Sequence, residues 1–360
     1  MNENFVEVIS LIEQARNNAI KAVNTELINL YWNIGGYISS KIKSANWGEK
    51  TVDELAQFIQ KNHPELKGFN RSGLFRMRQF YETYIVSKFV APVRRQIQVT
   101  DSQDSIIVAS AMTQFQYQDI SNTILTKLSW THHRTIFSRC KRNEEREFYL
   151  RLSIKENYTV RDLDRQINAS VFERTMLSTT ATKIEELVPK IGQHFKDQYV
   201  FEFLNLPDTH SENDLQKSLI HQMKSFLLEL GKDFLFMGQE YRLQVGNSDF
   251  YIDLLFYHRS LQCLVAFELK ADKFKPEHLG QLNFYLEALD RDVKNTNENP
   301  SIGILLCKDK DDEVVEYALS RQLSPTLVSQ YELALPDKKL LQAKLHEVFE
   351  QWNDKMNQEI

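Results

Sequence analysis

Cysteine is scarce. Cys140, Cys263 and Cys307 are the only three in 360 residues, too scattered and odd in number for a disulfide framework or a zinc knuckle. They point to a reducing, cytoplasmic setting. No run of about 18 apolar residues occurs, which excludes a membrane span and a membrane partner of that kind. The opening MNENFVEVISLIEQARNNAI is acidic and amphipathic and lacks the basic start and apolar block of a secretory signal. Internal repeats and long low-complexity tracts are missing too. A basic surplus is also absent. The net charge of −5 does not by itself advertise a nucleic-acid ligand.

What is present is ordinary in amount and uneven in arrangement. Hydrophobic residues make up 42 % and charged residues 26 %, as in a folded soluble protein, and the length allows two or three domains. Residues 1–200 hold 27 Lys and Arg against 22 Asp and Glu, a surplus of five positive charges. Residues 201–360 hold 17 against 27, a deficit of ten, and together they give the net −5. A basic front half and an acidic back half suggest two tasks; a chance partition between two domains is the plainer alternative.

The front half reads as helical. Phe5, Ile9, Ile12, Ile20, Val23, Ile28, Tyr31 and Ile34 recur at helical spacing, with a bend expected at Gly35-Gly36. A helix over 49–61, a turn over 64–69 and a second helix over 71–84 capped by Asn70 form a helical hairpin. The second helix carries Arg71, Arg76 and Arg78, and Phe75, Phe80 and Tyr84 are expected on its core face. Such a pair is either a DNA-reading helix-turn-helix or a plain hairpin with a solvated basic face. Residues 87–115 lose the helical period. Helices are expected again over 117–127, 131–140, 143–156 and 160–173, the last capped by Thr159 and Asp162. Adjacent His132 and His133 do not point the same way on a helix, so no metal is expected there.

The back half reads as a compact α/β unit. SENDLQKSLIHQMKSFLLELG is one amphipathic helix over 211–230 closed by Gly231. FLFMGQEYRLQV, DFYIDLLFYH and LQCLVAFELK are strands joined by tight turns at Gly246-Asn247 and at 258–260. Their continuous apolar runs predict burial on both faces. A helix from Pro276 to Asp290, a strand SIGILLC, a helix DDEVVEYALS and a closing helix PDKKLLQAKLHEVFEQW follow. The order is α-β-β-β-α-β with additions.

Chemistry concentrates around one strand end. Strand side chains alternate, so Glu268 and Lys270 share a face while Leu269 points away. Asp253 lies mid-strand in FYIDLLFYH, where a lone carboxylate is costly unless compensated. If the hairpin pairs these strands, Asp253 meets Glu268. Two adjacent carboxylates repel, and a divalent cation resolves the repulsion. Mg²⁺ fits, with Mn²⁺ as an alternative because both favour oxygen; the Leu269 carbonyl adds another oxygen ligand. Lys270 beside them offsets negative charge or assists an attacking water. Gln281 and Tyr285, four apart on one helix face, are placed to steady a phosphate. Lys273 and Lys275 are either phosphate contacts or a solvated loop. A buried ion pair of Lys270 with either carboxylate is the purely structural alternative.

Taken together, Asp253, Glu268-x-Lys270 and Gln281-x3-Tyr285 resemble the PD-(D/E)xK nuclease superfamily. The wording FLLELG, DFYIDLLFYH, LVAFELK, FKPEHLGQLNFYL and NPSIGILLCKDKDDEVVEYAL is similar to its YhcG-like family. So are NWGEKTVDELAQF, GFNRSGLFRMRQFY, LSWTHHRTI and FYLRLSIKENYTVRDLDRQI in the front half. The resemblance implies a helical N-terminal domain over 1–175 and a linker over 176–198. It then implies a restriction-endonuclease-like α-β-β-β-α-β nuclease domain over 199–360. It also implies a metal-dependent nuclease acting on DNA in processing, repair or defence, with Asp253, Glu268 and Lys270 catalytic and Gln281 and Tyr285 in support. One departure stands out. Where the pattern brings an acidic residue from the first core helix, this chain has Gln216, with Glu212 and Asp214 as nearby substitutes. A nuclease-fold module that holds nucleic acid or assembles without cutting is therefore the second expectation. RNA as substrate and a homodimer are left open by the sequence.

Overall fold

The computed structural model describes residues 3–44, 47–85, 118–177, 194–320, 322 and 324–347. The expected loop at 87–115, most of the 176–198 linker and the end of the closing helix lie outside them. The chain divides into two compact units, Met1–Asp164 and Arg165–Ile360.

In the first unit, helix α1 (Glu3–Lys43) runs unbroken through Gly35-Gly36, against the expected bend. A Cβ at Gly35 would lie 2.1 Å from the Met77 carbonyl oxygen, so the glycine serves close helix packing and not a change of direction. From Ile28 onward the apolar face of α1 is buried, whereas Phe5, Ile9, Ile12, Ile20 and Val23 are exposed. Tyr31 and Ile38 pack with Val52 and Ala56 of α2 (Glu49–Asn62) and Leu74 and Met77 of α3 (Arg71–Tyr84). Asn70 caps α3, its side chain accepting from the Gly73 N–H at 2.9 Å. Phe80 and Tyr84 are fully buried. Phe75 is only half-buried, with the Arg71 and Arg78 guanidinium groups over its ring.

The expected helix over 117–127 is not formed where it is described; only a short 3₁₀ turn, Ile124–Lys127, is present. Two asparagines of α1 take the backbone groups a helix would use. Asn33 accepts from the Gln118 N–H at 2.7 Å and donates to its carbonyl at 2.8 Å, and Asn29 accepts from the Ile120 N–H at 3.2 Å. Helices α4 (Trp130–Arg139) and α5 (Asn143–Glu156) follow. His132 bonds Ser129 and the Tyr158 carbonyl, and buried His133 bonds the Leu125 carbonyl at 2.7 Å. The two rings thus face different partners. Burial pushes the His133 ring down to about 4.

The helix expected over 160–173 is two, α6 (Val160–Asn168) and α7 (Val171–Leu177), separated by Ser170 at φ 52°. Thr159 and Asp162 cap α6 reciprocally. The break lets Arg165 and Arg174 reach one fully buried carboxylate, Glu229, at 2.8 and 3.5 Å, where Lys196 joins them at 3.0 Å. These three cations outweigh the effect of burial and hold the Glu229 carboxyl down to about 2.

The second unit is built on a six-stranded mixed sheet. Its strands are β1 (Gln198–Val200), β2 (Phe234–Val245), β3 (Ser248–His258), β4 (Cys263–Leu269), β5 (Ile302–Cys307) and β6 (Thr326–Glu332), in the order β1-β6-β5-β4-β3-β2. β2, β3 and β4 form an antiparallel meander; β4, β5, β6 and β1 are parallel. One face packs on α8 (Glu212–His221) and α9 (Met223–Leu230) through Leu215, Leu219, Phe226 and Leu230. The other packs on α10 (His278–Ala288) and α11 (Asp312–Leu319) through Leu282, Tyr285, Leu286 and Val315. This is the expected α-β-β-β-α-β core.

Three details differ from expectation. The first core helix is split at Gln222 (φ −102°, ψ 30°), and nothing in its apolar spacing marks the break. β4 and β5 are buried throughout as expected, but β2 is an edge strand and mostly exposed. β1 and β6 extend the sheet beyond the strands anticipated.

Candidate active site

The β3–β4 ladder ends at the pair Leu254–Phe267. One step further, Asp253 and Glu268 stand level with each other. There the regular pairing gives way to a side-chain bond, the Leu269 N–H donating to Asp253 Oδ2 at 2.8 Å. Lys270 Nζ donates to Glu268 Oε1 at 3.0 Å and to Glu212 Oε2 at 3.4 Å. On α10, Gln281 Nε2 donates to the Tyr285 hydroxyl at 2.6 Å. The charges of Asp253 and Glu268 act on that hydroxyl. Asp253, Glu268 and Lys270 thus meet at the strand end, and the Gln281–Tyr285 pair lies on α10, the helix that covers this side of the sheet.

The first core helix contributes in a way the sequence left open. Asp214 is committed to the N-terminus of α8, where it and Ser211 form a reciprocal capping box. Buried Gln216 donates to the Asp253 carbonyl at 3.0 Å and so fixes the β3 backbone. Glu212 is the acidic side chain that reaches Lys270.

Burial, followed by the neighbouring Asp253 charge, pushes the Glu268 carboxyl up to about 7 against the opposing pull of Lys270. Asp253 is also raised, first by burial, with Glu212 and Glu240 adding to it. Burial alone would lower Lys270, but Glu268, Glu212 and Asp253 outweigh it and hold the ammonium protonated. Glu268 is 2 % exposed, and its Oε2 is buried with no hydrogen-bond partner. An unpaired buried polar atom costs about 1–3 kcal/mol, and more when charged. A cation held by oxygen would remove that cost. Asp253 and Glu268 are hard oxygen donors of the kind Mg²⁺ and Mn²⁺ take, so the residues fit such an ion.

The sequence reading missed Glu240. β2 pairs Gln239 with Leu254 and Tyr241 with Ile252, so Glu240 lies opposite Asp253 in a step the ladder omits. Its backbone is left-handed, φ 45°, an uncommon conformation for a non-glycine residue and one often found at functional sites. Glu240, Asp253 and Glu268 form a row of three acidic residues across three strands. Only the pairing register reveals it.

The remaining expected contacts lie elsewhere. Lys273 and Lys275 are exposed and pair with Asp309 at 3.6 Å and Asp272 at 3.3 Å. Arg71, Arg76 and Arg78 are on α3 of the other unit, with Arg71 paired to Asp53 at 2.5 Å and Arg78 to Glu82 at 3.1 Å.

Residues 192–346 match the family described as YhcG PDDEXK nuclease domain, and residues 7–114 and 108–174 match the DUF1016 N-terminal domain. YhcG of Escherichia coli (strain K12) is 31 % identical over 359 residues, covering 94 % of this chain and 92 % of the relative. The chain belongs to the YhcG family of PDDEXK nucleases. Nucleases of this class generally use divalent metal ions. Two solved structures share 16 % identity at a TM-score of 0.26: a repair endonuclease from Pyrococcus abyssi and an EndoMS–dsDNA complex. They cover 36 % and 37 % of this chain, and the chain spans about half the length of each, 49 % and 48 %. No helix among the described residues is long and apolar enough to cross a membrane.

Proposed function

We propose that this family member is a Mg²⁺-dependent endonuclease that hydrolyses phosphodiester bonds in DNA in the cytoplasm, with Mn²⁺ as an alternative ion. The observation that carries the reading is the buried, partnerless Glu268 Oε2 beside Asp253 and Lys270. Asp253, Glu268 and the Leu269 carbonyl would hold the cation. When bound, it supplies Lewis-acid polarisation of the phosphoryl group and a more acidic water. Lys270, beside the Glu268 and Glu212 carboxylates, serves as a donor and a positive charge. Its ammonium orients the attacking water and offsets the charge that builds on phosphorus oxygens in the transition state. Gln281 and Tyr285, already bonded to each other, hold the scissile phosphate against that ammonium. Lys273 and Lys275 contact neighbouring phosphates, and Arg71, Arg76 and Arg78 give the helical unit a sequence-independent grip on the backbone.

The test is a cleavage panel of plasmid, linear duplex, single strand, four-way junction and RNA, with Mg²⁺, Mn²⁺ or EDTA, beside Lys270→Ala. Metal-dependent cutting of a DNA substrate that the variant loses is the expected result. Cutting of RNA alone would transfer the activity to that substrate. Tight binding by both proteins with no cutting would replace the enzyme with a nucleic-acid-holding module.

A further inference from the structure

We propose a second metal site, distinct from the carboxylate row, made of His194, Asp233 and His258 and suited to Zn²⁺ or a similar borderline cation. Each residue offers one ligand atom, and all three atoms lie within 4.8 Å of one another. The three come from separate segments: the stretch ahead of β1, four positions before Gln198, the turn between α9 and β2, and the last residue of β3. His258 is five residues along β3 from Asp253, roughly 17 Å of extended chain. The site therefore shares no ligand with the candidate active site.

Its surroundings hold the donors in place. The Asp233 carbonyl accepts from the Arg259 N–H at 2.9 Å, and its Oδ2 accepts from the Ser260 hydroxyl at 2.8 Å. The first bond anchors the Asp233 backbone and the second restrains its carboxylate, as outer partners of metal ligands do. The His258 ring is 1 % exposed. Phe195 and Phe234 pack on it with ring centroids at 5.5 and 4.9 Å, and each is the chain neighbour of another ligand. The His194 ring stands nearly perpendicular to it at 88°, centroids 5.0 Å apart. Two imidazoles and one carboxylate make a donor set that suits Zn²⁺ better than Mg²⁺, which prefers oxygen alone. Three protein ligands also leave a fourth position open to water or a further group. The Leu261 N–H faces His258 Nδ1 at 3.2 Å. This bond occupies the Nδ1 lone pair, so metal binding through Nδ1 would replace it, and binding through Nε2 would move the ring proton to Nδ1 and displace it. The bound ion would cross-link residue 194 to the β2–β3 hairpin and add its binding free energy to folding.

The experiment titrates metal-stripped full-length protein with Zn²⁺ against a chromophoric chelator, with thermal unfolding and Co²⁺ visible spectra alongside. The expected result is one tight Zn²⁺ per chain, a Zn²⁺-dependent rise in Tm and an intense tetrahedral Co²⁺ spectrum. All three should persist in Glu268→Gln. Affinity should fall at least tenfold in His194→Ala and in Asp233→Asn, substitutions at partly exposed positions that spare the buried ring. No tight binding to the wild type would overturn the site. So would unchanged affinity in both ligand variants, or binding lost in Glu268→Gln and kept in His194→Ala.

Discussion

Two charged clusters in the second unit use the same residue types in opposite proportion. At Glu229, one carboxylate meets three cations, Arg165, Arg174 and Lys196. At the end of β4, Asp253 and Glu268, with Glu212 and Glu240 nearby, share Lys270. Both clusters are largely buried, yet burial has opposite outcomes. Glu229 is held down to about 2, whereas Glu268 is pushed up to about 7. The first cluster has positive charge in excess even with Glu202 on Arg165, leaves the Glu229 carboxylate fully paired, and ties α6, α7 and α9 together. The second lacks positive charge and keeps a buried oxygen without a partner. A shortage of positive charge inside a fold marks a place for an external cation, while a surplus around one carboxylate marks a structural clamp.

The widest separation between the clusters should appear in activity. Lys270→Ala and Asp253→Asn are expected to lower cleavage about a thousandfold or more, by analogy with losses from removing one transition-state donor, with circular dichroism unchanged. Glu229→Gln should leave the chemistry intact in whatever fraction stays folded. It should cost about 3 kcal/mol in urea unfolding, because it removes the buried carboxylate shared by Arg174, Lys196 and Arg165, of which Arg165 keeps its pair with Glu202.

The next effect is in the pH dependence of stability. Glu229 is depressed from its ordinary 4.5 to about 2, so its contribution is present above pH 4.5 and is lost as the pH falls towards 2. In Glu229→Gln that loss on acidification should vanish. Glu268 is raised from 4.5 to about 7, so its effect has the opposite sign. Metal-free protein should be most stable with respect to this group below pH 4.5 and lose stability as the pH rises through 7. Glu268→Gln should abolish cleavage and yet raise the metal-free urea midpoint at pH 8, by about 1–3 kcal/mol in free energy. Equal midpoints for wild type and variant across pH 4–8 would remove the electrostatic contrast.

The smallest effect concerns Glu240, whose charge helps raise Asp253. Glu240→Gln is expected to change turnover less than tenfold and to lower the Mg²⁺ concentration dependence only slightly, measured by initial rates across a metal titration.

The second cluster was legible in the sequence because its members sit at fixed steps within strands. Glu268 and Lys270 are two apart at the end of an apolar run, and Asp253 interrupts another. Gln281 and Tyr285 are one helical turn apart. Glu229 carried no comparable signal, since its partners lie 33 to 64 positions away in the chain and meet only after folding. Glu240 was invisible because its meaning depends on register and on one left-handed backbone angle. The same holds for Gly35, read as a bend and found as a contact point for Met77, and for 118–127, where Asn29 and Asn33 override local helical preference. Periodicity reports which face a residue occupies; it is silent on what that face meets.

The most direct test of the contrast is Mn²⁺ binding followed by electron paramagnetic resonance, with displacement by Mg²⁺, in wild type, Glu268→Gln and Glu229→Gln. The account predicts a Mg²⁺-displaceable Mn²⁺ site in wild type and in folded Glu229→Gln, lost in Glu268→Gln. Mg²⁺-displaceable binding that survives Glu268→Gln at the same affinity would contradict it.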